Sequence, residues 1–215
     1  MRSSAINKAN KATSTQLEAC ILTSRELNGA RLHFVVKTSS ELSDVERERI
    51  WNIFESNMHL FYTTSSFGWN PRSKKEEMFH SHARLVLCSE SIPSEFRIVA
   101  YTIFRFEREA KQDVVYWLET PSSSIEKSYE LQVTEESRGL GVGKLLMGSL
   151  FDIGSRWRMK NVMLTVFKVA NSAASAFYRS LGFDLDSSSP GYAEEGDWQD
   201  EELDCDYVIL SKSIP

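Results

Sequence analysis

The chain has 215 residues and a formal net charge of −5 at pH 7, with 41% hydrophobic and 26% charged residues. This length and composition fit one folded domain with a sizeable core. The acidic balance argues against a surface that grips nucleic acid, which would need clustered Lys and Arg. No apolar run approaches the roughly 18–20 residues of a membrane span, so we expect neither nucleic acid nor membrane as a partner.

Cysteine and histidine usage argues against disulfides and against a metal site. Cys20, Cys88 and Cys205 are odd in number and far apart, which indicates reduced thiols in a cytosolic or nuclear setting. The pair His80 and His82 has no Cys, Asp or Glu cluster that completes a zinc spacing, so we expect no metal.

The N-terminal stretch carries no strong structural pattern. Residues 1–14 include Arg2, Lys8 and Lys11 and no acid, yet they lack the Arg-rich amphipathic stripe of a transit peptide. We interpret residues 1–40 as an N-terminal arm that packs on or extends from the domain, and residues 41–215 as a single domain.

Two helices are predicted after the arm. Ser43 and Glu46 have the spacing of a capping box, and apolar residues then recur at three- to five-residue steps to about Leu60. After a turn-rich patch at 65–71, a short charged helix is predicted from Lys74 to about His80.

Strand-like runs fill much of the remaining chain. They are apolar or β-branched, are bounded by turn or polar residues, and span 83–88, 97–106, 114–119, 127–133, 162–167 and 207–210. Antiparallel strands followed by a β-α-β-α-β half predict an α/β fold.

A glycine-rich turn separates the strand at 127–133 from an apolar helical pattern at 145–153. Its three glycines in five positions let the backbone approach a ligand, and the following helix adds its positive N-terminal end, which suits a phosphate. The spacing G-x-G-x-G excludes the dinucleotide fingerprint and the P-loop. On this motif alone, a turn that merely caps a helix is the alternative. The turn comprises Arg138, Gly139, Leu140, Gly141, Val142, Gly143 and Lys144.

The pattern R-x-x-G-x-G in this turn resembles the pyrophosphate loop of the GCN5-related N-acetyltransferase (GNAT) superfamily, which holds acetyl-CoA. A second block, N-x-x-A-x-x-F-Y-x-x-x-G-F from Asn171 to Phe183, resembles the last block of the same superfamily. The resemblance implies the GNAT fold, a three-layer α/β/α arrangement with a central mixed, mostly antiparallel sheet of about seven strands. It also implies acetyl-CoA as cosubstrate.

More local blocks resemble the NatD-type N-terminal acetyltransferases, which modify the α-amino group of histone tails that begin Ser-Gly-Arg-Gly. The most specific blocks are S-S-x-G-W at 65–69 and C-x-Y-x-I-L-S at 205–211, and the resemblance covers roughly residues 43–212. It implies acetylation of the N-terminal serine of histone H4-type tails, without an auxiliary subunit, in the cytoplasm and nucleus. A lysine or small-amine acetyltransferase and a catalytically silent histone-binding module remain alternatives.

Acetyl transfer needs a neutral amine, a thioester held in line and a proton acceptor. A protein α-amino group has a pKa of about 7.7–8.0, so a modest base suffices. Glu130 is the candidate base, because it lies among apolar residues of a strand and the resemblance places a catalytic glutamate there. A structural carboxylate paired with Arg is the alternative. Tyr178 is either a proton donor to the departing thiolate or an aromatic core residue.

The resemblance also assigns cofactor contacts. Leu131, Gln132 and Val133 would present backbone groups to the pantetheine arm, and Asn171 would meet the far end of that arm. The seven residues of the glycine-rich turn would hold the pyrophosphate through main-chain N–H groups.

Aromatic hydroxyl groups are the candidates for recognising the first residue of the tail. Tyr62, Tyr129 and Tyr207 would form a small pocket for serine that rejects larger side chains. Thr165 would hydrogen-bond the peptide.

Acidic residues are the candidates for recognising the basic tail. Glu107 suits the arginine at the third position, because a carboxylate accepts a guanidinium fork; family members can carry Asp there. From Asp184 to Asp206 the chain has ten carboxylates and no Lys or Arg, which is typical of a docking surface for a basic substrate or of a solvated loop. Ser188 and Ser189 within this segment would border the peptide.

Overall fold

The structure of the chain, a computed structural model, describes residues 4–92, 95–109, 112–117, 130–168, 172–190, 192 and 206–215. Within these ranges, six α-helices accompany one mixed sheet of nine strands. No helix among the described residues is both long and apolar enough to span a membrane.

The elements follow one another along the chain with two short 3-10 turns between them, at Ser39–Glu41 and Glu135–Ser137. The helices are Ser4–Ala9 (α1), Ser14–Glu18 (α2), Asp44–Thr64 (α3), Pro71–Met78 (α4), Val142–Arg156 (α5) and Ser172–Ser180 (α6). The strands are Ser24–Leu27 (β1), Ala30–Thr38 (β2), Arg84–Ile92 (β3), Glu95–Glu109 (β4), Gln112–Trp117 (β5), Leu131–Val133 (β6), Asn161–Phe167 (β7), Asp184–Leu185 (β8) and Tyr207–Ser213 (β9).

The strand order is β1-β2-β3-β4-β5-β7-β9-β8, and β6 pairs with β4 outside this path. The β5–β7 pair is parallel, and the other pairs among the described residues are antiparallel. The predicted α/β class with a mixed, mostly antiparallel sheet is confirmed, with nine strands instead of about seven.

The first two strands come from residues 24–38, which the sequence analysis assigned to an N-terminal arm. In β2, Leu32, Phe34 and Val36 are buried while their neighbours are more exposed, which is the period-2 pattern of a strand with one covered face. The Glu18 carboxylate of α2 accepts a hydrogen bond from the Val36 N–H at 2.9 Å. Residues 24–38 are therefore strands of the central sheet.

The two predicted helices form, with shifted ends. The capping box at the start of α3 is confirmed, since the Ser43 N–H donates to Glu46 at 2.9 Å and the Glu46 N–H donates to the Ser43 hydroxyl at 3.3 Å. Helix α4 starts at Pro71 rather than Lys74, because Asn70 caps it and proline fits the first helical position.

Both faces of the sheet are covered at its centre. Residues 98–106 of β4 are all buried, which requires packing on both faces. On one face, Arg105 Nη2 donates to the Glu77 C=O of α4 at 3.0 Å. On the other face, Gly154 of α5 lies against the Val115 side chain. The layers are α/β/α, as predicted.

Strand β4 pairs along one edge with two strands in succession. Thr102 lies opposite Leu131 of β6, and Arg105 lies opposite Tyr116 of β5. The end of β5 and the start of β6 thus take neighbouring positions on β4, although residues 118–129, outside the described ranges, separate them in sequence. The predicted strand at 127–133 is described only from residue 130 onward.

The sheet splits where β5 gives way to β6. β7 pairs with β5 through residues 161–164 and runs on past the end of β5 alongside β6. Among the described residues no ladder joins β6 to β7. Within the described ranges the sheet is therefore split between β6 and residues 165–167 of β7, and we call this split the cleft.

Two glycines of α5 predict opposite effects of alanine on stability. A Cβ at Gly148 meets nothing within 4 Å, so Gly148→Ala should stabilise the protein by about 0.5–1 kcal/mol through helix propensity. A Cβ at Gly154 would lie 2.5 Å from Ile214 Cδ1 and 3.1 Å from Val115 Cγ2, so Gly154→Ala should destabilise it.

Urea unfolding of wild type and both variants provides the measurement. Gly154→Ala is the matched control, because the same substitution is made in the same helix. A Gly148→Ala protein less stable than wild type would contradict the open space found around a Cβ at residue 148.

Candidate active site

The glycine-rich turn joins the 3-10 turn Glu135–Ser137 to α5, and its glycines serve two purposes. Gly139 and Gly141 have φ angles of 74° and 87°, in the left-handed region that favours glycine. Gly143 is helical, but a Cβ there would lie 3.2 Å from the Phe177 ring of α6. Two glycines shape the turn, and the third lets α6 approach α5.

The start of α5 presents free backbone donors. Gly141 is the N-cap, and the Leu145 N–H donates to the Gly141 C=O at 3.2 Å. The N–H groups of residues 142–144 have no acceptor within the helix. Together with the positive end of the helix they suit a phosphate group.

The cleft between β6 and β7 exposes one edge of β6 beside this turn. The Ile103 N–H donates to the Glu130 C=O at 2.7 Å, so alternate residues, Glu130 and Gln132, bond to β4 through their backbone. The backbone groups of Leu131 and Val133 therefore point toward the cleft. An extended ligand could add there as a strand would. Of the three predicted backbone contacts, Gln132 is the one whose main chain faces away.

Glu130 lies immediately before β6 and is 6% exposed. Its Oε1 is 3.0 Å from Lys74 Nζ, and its Oε2 accepts a hydrogen bond from Gln132 Nε2 at 2.6 Å. From the sequence, an arginine was the alternative partner expected for this carboxylate. The structure shows a lysine of α4 instead, and both carboxylate oxygens are held.

Lys74 was not singled out from the sequence. It is 5% exposed, its Nζ donates to the Tyr62 hydroxyl at 2.5 Å, and it lies 3.8 Å from Glu77 Oε2. The one available signal was the spacing of Lys74, Glu77 and Met78 on α4, which places all three on one helix face. That face is buried, although the sequence of α4 is predominantly charged.

A chain of hydrogen bonds runs from Glu130 to the glycine-rich turn. Asn57 Nδ2 of α3 donates to Gln132 Oε1 at 2.9 Å and to the Val133 C=O at 3.1 Å. The guanidinium of Arg138 donates to Asn57 Oδ1. The first residue of the turn and the candidate base are thus joined through two amide side chains.

The negative charge of Glu130 affects the pKa of two buried tyrosines. The pKa of Tyr178 and that of Tyr101 are both raised well above the ordinary value, first by burial and then by the negative charge of Glu130. The centre of the Tyr178 ring lies 5.1 Å from that of Phe177 and 5.8 Å from that of Phe183. Tyr178 is therefore part of the core as well as a neighbour of the site.

An aromatic cluster brings Tyr62 and Tyr207 together. The half-buried Phe67 ring lies 6.3 Å from Tyr62, 5.9 Å from Tyr207 and 5.4 Å from Phe167, between ring centroids. The Asp206 carboxylate accepts hydrogen bonds from the N–H and hydroxyl of Ser66, both at 2.6 Å. These contacts fix the loop after α3 against the start of β9.

The register places the other predicted substrate residues on the same face of the sheet. Tyr101 lies opposite Gln132, so Glu107, which is six residues further along β4, shares a face with Glu130. On β7, Thr165 shares a face with Phe167, which lies opposite Tyr207. Glu107 lies on the same face as Thr165, because its partner on β5 pairs in turn with a β7 residue of that face.

The two serines after β8 have different roles. Ser188 is exposed, and its hydroxyl donates to Asp186 Oδ1 at 2.6 Å. Ser189 is 5% exposed, and its hydroxyl accepts a hydrogen bond from the Ile209 N–H at 3.0 Å. Ser189 therefore supports the backbone of β9, and of the two only Ser188 is open to a peptide.

Some predicted residues lie outside the described ranges. They are Tyr129 of the serine pocket, Asn171 of the cofactor site, and most of the acidic segment, residues 191 and 193–205.

The two cysteines that the structure describes, the buried Cys88 and the half-buried Cys20, offer no nucleophile for a covalent intermediate. Burial, with the nearby charge of Glu90, raises the pKa of Cys88 to about 12, and burial also raises the pKa of Cys20. Both stay protonated at neutral pH, and the thiolate is the nucleophilic form.

Comparison with known proteins agrees with this geometry. The Acetyltransferase (GNAT) family matches residues 50–183, which is more than half of the chain. An acetyltransferase of the GNAT family from Staphylococcus aureus superposes with a TM-score of 0.54 at 13% identity, covering 85% of this chain and 99% of that one. A second, from Listeria monocytogenes, gives 0.53 at 11% identity, covering 88% and 99%.

Ard1 from Thermoplasma volcanium gives a TM-score of 0.50 at 13% identity, covering 85% of this chain and 98% of that one. At such identities the superpositions speak for the fold alone. The family match over residues 50–183 shows that the chain belongs to the GNAT family of acetyltransferases, which use acetyl-CoA, and the glycine-rich turn and the split sheet agree with it.

Proposed function

We propose that this acetyltransferase transfers acetyl from acetyl-CoA to the α-amino group of an N-terminal serine on histone H4-type tails that begin Ser-Gly-Arg-Gly. The observation that carries the proposal is the placement of Glu130, Glu107 and Tyr207 on one face of the split sheet. That face offers a base, a carboxylate and an aromatic wall to a single peptide.

Spacing along β4 supports a role for Glu107 in recognising the third residue. Glu130 pairs at Ile103, so Glu107 lies four residues away, or about 13 Å along the strand. The first two residues of an extended peptide cover about 7 Å, and the long side chain of an arginine can cover the remainder. A carboxylate at that distance could bind the guanidinium of the arginine in Ser-Gly-Arg-Gly.

The cofactor would be held by the elements that suit its parts. The N–H groups at the start of α5 would bind the pyrophosphate, and the backbone groups of Leu131 and the Val133 N–H, which face away from β4, would bind the pantetheine arm. This arrangement would bring the thioester into the cleft between β6 and β7, next to Glu130. The chemistry of these donors fits a pyrophosphate and an extended amide chain, the two parts of acetyl-CoA that they would hold.

In the reaction, the amine nitrogen attacks the thioester carbonyl, a C–N bond forms and the C–S bond breaks. Glu130 takes the proton that the nitrogen loses, directly or through one water. Lys74 and Gln132 hold the carboxylate from two directions and so fix the orientation in which it would meet the amine.

Tyr178 would stabilise the departing thiolate as a hydrogen-bond donor. Its raised pKa keeps the phenol protonated, whereas a thiol has a pKa of about 8–9. Complete proton transfer from Tyr178 to the thiolate would therefore be energetically unfavourable. We expect Tyr178 to donate a hydrogen bond to the thiolate and to keep its proton.

The proposal includes activity of the chain by itself in the cytoplasm or nucleus. A Ser-Gly-Arg-Gly-Lys peptide incubated with the purified chain and acetyl-CoA should gain one acetyl group on its α-amine, as read by tandem mass spectrometry. The matched control is the same peptide with a blocked N-terminus, which should gain none. Acetate on lysine in both peptides would identify a lysine acetyltransferase, and binding of both ligands without transfer would identify a silent binding module.

Replacing the base should remove turnover and spare cofactor binding. Glu130→Gln keeps the shape of the side chain and removes its proton affinity, so kcat should fall roughly 10²–10⁴-fold. The dissociation constant for acetyl-CoA, measured by calorimetry, should change little. Unchanged kcat would remove Glu130 from the role of base.

Replacing Glu107 should weaken recognition of arginine selectively. Glu107→Gln should raise KM roughly tenfold for Ser-Gly-Arg-Gly, because a charge-assisted hydrogen bond contributes about 1.5 kcal/mol or more. A Ser-Gly-Ala-Gly peptide is the control, and its KM should be the same for variant and wild type. Equal changes for both peptides would show that Glu107 does not contact the third residue.

A further inference from the structure

We propose that Lys74 is a positioning residue for the candidate base, holding the Glu130 carboxylate and the Tyr62 hydroxyl in one fixed arrangement. The inference rests on the proposed role of Glu130 and extends it to a residue that touches no substrate. Its basis is the geometry around the Lys74 ammonium.

The ammonium of Lys74 meets partners from three separate parts of the chain. It has three hydrogens to donate, and its contacts among the described residues include oxygens of Tyr62 at 2.5 Å, Glu130 at 3.0 Å and Glu77 at 3.8 Å. Tyr62 is on α3, Glu77 is on α4, and Glu130 precedes β6. The cation therefore ties the base to both helices that cover this face.

Packing restricts the ammonium further. Lys74 Nζ lies 5.0 Å from the centre of the Phe54 ring and 4.8 Å from that of Tyr62, and the whole residue is 5% exposed. A buried lysine surrounded in this way has no solvent-exposed position for its charge. Burial and the two rings therefore favour the position in which the ammonium contacts Glu130.

The second carboxylate oxygen is held from the opposite direction. Gln132 Nε2 donates to it at 2.6 Å, and Asn57 fixes the Gln132 side chain at 2.9 Å. Lys74 and Gln132 together set the plane of the carboxylate. Because Lys74 also holds Tyr62, it sets the distance between the base and the wall of the proposed serine pocket.

A displaced base costs rate even when it remains basic, since a misplacement of about 1 Å can lower turnover on the order of 10²-fold. Lys74→Met removes the ammonium, and Lys74→Arg keeps the charge but replaces a compact donor with a planar fork. Both should lower kcat about 10- to 100-fold while the dissociation constant for acetyl-CoA stays within about threefold of wild type.

Lys75 provides the matched control. It is the next residue on α4, it is exposed, and its Nζ lies 4.4 Å from the centre of the Trp51 ring. Lys75→Met should leave kcat unchanged.

A double-mutant cycle separates positioning from other roles. If Lys74 acts through Glu130, then Lys74→Met should lower kcat by less than about threefold once Glu130→Gln is already present. The variants are compared on whichever peptide the wild-type protein acetylates, so the cycle does not depend on the identity of the tail.

Three results would overturn the inference. The first is a Lys74→Arg protein with wild-type kcat, and the second is a double variant in which the two losses multiply. The third is unchanged kcat in Glu130→Gln, which refutes the proposed base itself and is read from that single variant. If Lys74→Met does not fold, as judged by its thermal melt, Lys74→Arg decides.

Discussion

The active site depends on one constraint: β4 is longer than β5 and longer than β6, the two strands that pair with the same edge of it. β5 and β6 must share that edge, and they meet opposite residues 103 and 104. β7 pairs with β5 and, within the described part of the chain, does not pair with β6, so the sheet splits at that point. The cleft, the free edge of β6 and the position of Glu130 all follow from this arrangement.

The chemistry of the cleft also requires a buried carboxylate, which is unfavourable in a protein interior without compensation. The structure compensates it with a lysine from α4 and an amide from β6. Removal of one member of such a buried pair costs about 3–5 kcal/mol, because it leaves the other charge uncompensated. Stability and the orientation of the carboxylate therefore rest on the same contacts.

Much of the fold and part of the site could be predicted from the sequence. The glycine-rich turn, the strands after the two predicted helices and the capping box of α3 all have local signals in the sequence. The strands at 24–27 and 30–38 were missed. β1 is short and shows no alternation of buried and exposed residues, whereas β2 does alternate but is specified by pairing with β3, which begins at residue 84.

The sequence by itself determined the residue types of the site and their order along the chain: the turn that suits a phosphate, the acid at 130 and the aromatic residues around it. Only the tertiary structure decided which of them meet. Lys74 and Asn57 lie 56 and 73 residues from Glu130. The main chain of Gln132 faces β4, and its side chain donates a hydrogen bond to Glu130. Contacts of that range arise from strand register and helix packing, since no local pattern records which distant side chain will neutralise a buried charge.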